Sequence, residues 1–107
     1  MRKTPIYQLS EDLGSWMDQH REVIFDEVLQ STEAALEGEY SLSRVPVMIL
    51  QSDGGTTLFM LKSLDATKES VNKALNWFVE SEQYEKAARA RDVKAAIEER
   101  GELPTDI

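Results

Sequence analysis

The chain has 107 residues, 41% hydrophobic and 30% charged, with twelve Lys/Arg against twenty Asp/Glu and a formal net charge of −8. That length fits one domain with a modest core, and the lack of cysteine excludes disulfides, thiolate zinc sites and cysteine nucleophiles. No apolar run approaches the ~20 residues of a membrane helix, and residues 1–9 carry no signal-peptide stretch, so a cytoplasmic protein with no membrane partner is expected.

In chain order, residues 1–9 read as a short arm in which Pro5 disfavours helix. Ser10 is placed to cap a helix whose first turn holds Glu11 and Asp12. Leu13, Met17, His20, Ile24, Val28, Ser31 and Ala35 then recur at helical spacing, and Gly38 is a stop signal. The prediction is one long acidic amphipathic helix over 10–38, with Gly14 costing about 1 kcal/mol relative to Ala. Its centre is dense: Val23, Ile24, Phe25, Val28 and Leu29 exceed one buried stripe, so two layers or a second chain must cover it.

The acidity concentrates here. From Glu11 to Glu39 nine acids meet one base, Arg21. Asp18, Glu22 and Asp26 lie four apart, on one face of the predicted helix. Such a face repels nucleic acid and anionic membranes and attracts a basic protein partner; the plainer reading is a solvated face.

Residues 45–62 read as a β-hairpin. VPVMILQ and TTLFMLK are β-branched and apolar, and the Ser52-Asp53-Gly54-Gly55 stretch between them is a turn signal. Pro46 points to an edge position for the first strand. Strict alternation puts Val47 and Ile49 on one face and Met48 and Leu50 on the other, with Leu58 and Met60 alternating against Phe59 and Leu61. Two strands alone are marginal, so helices or another subunit must cover both faces. A homodimer is expected through the hairpin or the helices, using Val47, Ile49 and Phe59, with Phe25 and Leu29 of the first helix.

Residues 65–100 read as helical, capped at Asp65 or Thr67, with Val71, Ala74, Leu75 and Phe78 on one face. A polar stretch, Glu80-Ser81-Glu82-Gln83, either bends the chain back or stays helical. Gly101 and Pro104 end the last helix and leave a tail over 101–107. The fold class is α+β, in the order α-β-β-α-α.

Within ALNWFVESEQYEKAARARDVKAAIE, residues 74–98, an aromatic and an acid (Tyr84, Glu85) precede two alanines (Ala87, Ala88) and an Arg-Asp pair (Arg91, Asp92). This quarter of the chain resembles the UVR motif. That motif is a helical hairpin of the B and C subunits of the bacterial excision nuclease and of some protease adaptors and chaperones. Ala90 stands where the motif usually has Leu. The resemblance implies a protein–protein contact made by Tyr84, Ala87, Ala88, Arg91 and Asp92, not catalysis. The residues alone leave two readings open, such a contact or an ordinary hairpin packed within the chain: small side chains admit close helix approach, and Arg91 can fork a carboxylate.

Catalytic and metal chemistry find little support. His20 is the lone histidine, on an apolar stripe with Met17 where a helical metal motif would place Glu. The SDGGTT stretch precedes a strand, whereas phosphate-binding glycines open a helix. Lys86, Arg89, Arg91 and Lys94 are interleaved with acids, which argues against direct nucleic-acid binding. The expectation is a non-enzymatic interaction module (an adaptor, regulator or inhibitor) with no cofactor. Two alternatives stand: an acidic decoy that mimics nucleic acid on a basic site, and a small-ligand binder with a pocket between hairpin and helices.

Overall fold

The computed structural model describes residues 1–101; the rest of the predicted tail, with Pro104, lies outside the described residues. The architecture is α+β: a three-stranded sheet and four helices. Its order departs from the expected one in the first third.

The N-terminal arm carries a strand, β1 (Ile6–Gln8). It pairs in parallel with the first hairpin strand, Ile6 opposite Ile49 and Gln8 opposite Gln51. The arm is held by one side chain. The Arg2 guanidinium donates to the carbonyls of Pro46 (3.1 Å) and Val47 (2.8 Å) and pairs with Glu27 at 3.0 Å. Glu27 also accepts from the Tyr7 hydroxyl at 2.5 Å. Burial, and then this bond, push the Tyr7 phenol up to about 12. Such a desolvated cation is tolerable only when it is paired and its donors are filled.

The predicted long helix is two helices. In α1 (Leu13–Gln19) the cap is Asp12, not Ser10: its carboxylate accepts from the Ser15 amide (2.9 Å) and hydroxyl (3.0 Å). The amide bond holds the Asp12 carboxyl below the usual carboxylate range. At His20 the backbone leaves helical geometry (φ −121°, ψ 34°). The imidazole stacks on the Trp16 indole, centroids 4.4 Å apart, with Nδ1 2.8 Å from the Trp16 carbonyl. That stack and hydrogen bond hold the kink from which α2 (Arg21–Leu36) starts. Gly38 ends α2 as expected, at φ +98°, with the Gly38 and Glu39 amides returning to the carbonyls of Ala35 and Ala34 (both 3.0 Å).

The hairpin forms as predicted: β2 (Val45–Ser52) and β3 (Gly55–Leu61) are antiparallel, closed by Asp53-Gly54. Pro46 does not mark an edge strand, since β2 is the central strand of the order β1-β2-β3. It is tolerated because it lies beyond the β1 pairing, beside a bulge between Pro46 and Met48. The bulge also corrects the alternation. Val47 and Met48 are successive yet both fully buried.

A Ser63 cap, its hydroxyl accepting from the Ala66 amide at 3.0 Å, starts α3 (Leu64–Glu80). Neither Asp65 nor Thr67 serves; Thr67 is buried and donates to the Leu42 carbonyl at 2.6 Å. The chain then folds back into α4 (Tyr84–Gly101). The reversal repeats the Gly38 geometry with a non-glycine in the left-handed position, Glu82 at φ 58°, and the Gln83 amide donating to the Phe78 carbonyl at 2.8 Å.

The core lies between the sheet and the helices. β2 meets α2, β3 meets α3, and α4 packs on α2 and α3. Phe78, Leu29, Val28, Met48 and Ile97 are its largest fully buried side chains. Small residues, Ala35 of α2, Ala74 of α3 and Ala87 and Ala90 of α4, are buried where the helices approach. Among the described residues no helix is long and apolar enough to cross a membrane.

Candidate functional site

The sheet has one covered and one open face. Residues opposite each other on neighbouring strands share a face, so each row across the sheet can be assigned. Tyr7 and Leu50 lie in one row, and Met48 with Phe59 in the next on the same side. That side meets the helices: the Tyr7 ring tilts against Trp16 at 5.7 Å, and Leu50 is buried. The other side carries Ile6, Ile49 and Leu58, one from each strand, in a single row. Ile6 is 57% exposed and Leu58 46%, with Ile49 half-buried between them. The next row is Gln8, Gln51 and Thr56, in which Gln8 donates to Gln51 at 2.6 Å. Pro46 and Met60 flank the apolar row on its other side. None of these eight residues is charged.

The five residues expected at an oligomer interface do not lie together. Val47 and Leu29 are fully buried and belong to the core. Phe25 and Phe59 are half-buried on the helix side and wall one cavity there. Only Ile49 lies on the open face. Ile6 and Leu58 complete that surface. The pairing of β1, invisible in a segment as short as IYQ, is what adds Ile6.

The expected acidic face is divided. The break at His20 puts Asp18 on α1 and Glu22 and Asp26 on α2. Asp18 stays exposed and, among the described residues, pairs only with Arg21, at 3.3 Å. Asp26 accepts from Lys86 of α4 at 2.9 Å, with Glu22 3.8 Å from the same ammonium. Glu22 also accepts from Gln83 at 2.8 Å. Arg89 grips Glu33 with two donors, Nε to Oε2 at 2.8 Å and Nη2 to Oε1. These hydrogen bonds raise the pKa of both bases, that from Asp26 for Lys86 and that from Glu33 for Arg89. The basic partner that the acidic helix meets is, for these positions, α4 of the same chain. The interleaved bases of residues 86–94 were the available signal.

The UVR-like residues divide as well. Ala87 is buried, as is Ala90, the position that departs from the motif. Tyr84 is 64% exposed, Ala88 is half-buried, and Arg91 and Asp92 are exposed. Spacings of four and three put Tyr84, Ala88 and Arg91 on one outward face of α4. Among the described residues no group of three or more His, Asp or Glu is placed to hold a metal ion. No protein-family model, curated protein or solved structure matches the chain.

Proposed function

We propose that the chain is a non-catalytic protein–protein interaction module whose working surface is the open face of the sheet, and that a second copy is its first partner. The observation that carries this is the exposed row Ile6–Ile49–Leu58, spanning all three strands without a charge beside it. Two molecules of net charge −8 repel each other. An uncharged apolar face is where contact meets least opposition, and sheets stack face to face at about 10 Å. With strands ~4.8 Å apart and successive residues on one face ~6.6 Å apart, the eight-residue patch is on the order of 250 Å² per copy. Standard interfaces bury about 800 Å² per partner. Self-association is therefore weak, with a dissociation constant in the micromolar range or above, as suits a regulator or adaptor that exchanges partners. The outward stripe Tyr84–Ala88–Arg91 of α4 is a separate contact for another protein.

Sedimentation equilibrium tests the reading. The wild-type chain should pass from monomer to dimer as concentration rises, and Leu58→Glu should hold it monomeric with an unchanged circular dichroism spectrum. A wild-type chain that stays monomeric at the highest soluble concentration, or a dimer indifferent to both Leu58→Glu and Ile6→Glu, would overturn it.

A further inference from the structure

On the opposite side of the sheet, a cavity of about 460 Å³ lies between α1–α2 and α3, over β3. That volume is in the range of small-molecule sites. Met17, Ile24, Phe25, Val28 and Phe59 supply an apolar lining. The charged groups in the lining are Arg21 and Lys73, against one carboxylate, Asp18. A second, shallower depression shares Arg21, Phe25 and Lys73 and runs on to Trp77 and Glu80. The two bases thus stand where the depressions meet.

We infer that this cavity binds a small amphiphile with an unbranched apolar tail and a single carboxylate. The tail lies among Met17, Phe25 and Phe59, and the carboxylate sits between Arg21 and Lys73. Three observations favour that occupant. Arg21 and Lys73 stand against Asp18 in the lining, and Glu69 on Lys73 and Glu80 on the shallower depression add acid nearby, so a monoanion meets less repulsion there than a phosphate dianion. Arg21 presents a planar fork suited to a carboxylate. Its present partner is replaceable: the Asp18 contact is 3.3 Å long, with side chains 54% and 74% exposed, and such pairs contribute little. Among the described residues Lys73 is likewise held only by the exposed Glu69 one turn away, at 3.1 Å.

Calorimetric titration with decanoate, decanol and decylammonium below their aggregation concentrations tests this, with Trp fluorescence as a second readout. Decanoate should bind, with decanol at least about tenfold weaker and decylammonium weaker still. Arg21→Gln with Lys73→Gln should weaken decanoate at least about tenfold and leave decanol unchanged. Both positions are exposed, and an unchanged thermal transition checks the fold. Equal binding of decylammonium, no binding of decanoate, or binding indifferent to the double substitution would each overturn the inference. Phe59→Ser, in the apolar lining, should weaken the acid and the alcohol alike; acid binding that survives it places the ligand elsewhere. The cavity is on the covered side, so none of these outcomes bears on dimerisation through the open face.

Discussion

The two faces of the sheet are built from the same three strands, and one residue separates them. Leu50 is 3% exposed while Leu58, on the other face, is 46% exposed, although both are leucines in well-paired strands. On the covered face an apolar side chain contributes to stability; on the open face it stays in contact with solvent. Hydropathy cannot distinguish the two, because both faces read as apolar in sequence. Only the placement of α1, α2 and α3 does.

The comparison breaks most visibly at Leu50. Leu50→Ala should cost roughly 2–5 kcal/mol, by lost transfer energy and the cavity left behind, and chemical denaturation followed by Trp fluorescence measures it. Next is the polar margin of the covered face. Glu27→Ala leaves the Arg2 guanidinium, 11% exposed, without its carboxylate, and should cost about 2–3 kcal/mol. The same margin gives a pH signature. Tyr7 holds its proton more tightly when folded, so this contribution is complete below the ordinary phenol value of 10.0 and is lost as pH rises through about 12. Absorbance titration should show one of the three tyrosines ionising late; Glu27→Ala should bring that step down only partly, because burial is the larger cause. A smaller effect of opposite sign, away from either face, calibrates the scale. Glu82→Gly relieves the left-handed backbone at φ 58° and should stabilise the fold by about 0.5–1 kcal/mol. The smallest change belongs to the open face: Leu58→Ala should move monomer stability by no more than about 0.5 kcal/mol. A large loss there would mean that the face is covered within the monomer.

Sequence patterns carried the local structure and lost what depends on distance. The hairpin was legible because VPVMILQ and TTLFMLK flank a two-residue Asp-Gly turn, and the end of α2 because Gly38, lacking a Cβ, suits φ +98°. The break at His20 was hidden, since the apolar spacing from Met17 to Ile24 runs through it and neither Gly nor Pro marks it. The Arg2–Glu27–Tyr7 cluster joins residues 20 and 25 positions apart and leaves no local trace. The open face shared that fate: its row needs β1 beside β2, and Pro46 argued against a central β2. The acids of α2 were read as free for a partner or for solvent because their bases stand 56 and 60 positions away, on α4.

The parallel pairing of β1 also bears on the order of assembly. The β-hairpin and the α3–α4 hairpin join neighbours in sequence and need close only small loops, within microseconds for units of this kind. β1 meets partners 43 positions away, as Gln8 does Gln51, and closing so large a loop carries an entropic cost that three residues of ladder barely offset. The first strand is therefore expected to be the last to dock during refolding and the first to come loose. Until it docks, the edge of β2 is bare, and that interval is when one molecule could lend its arm to another.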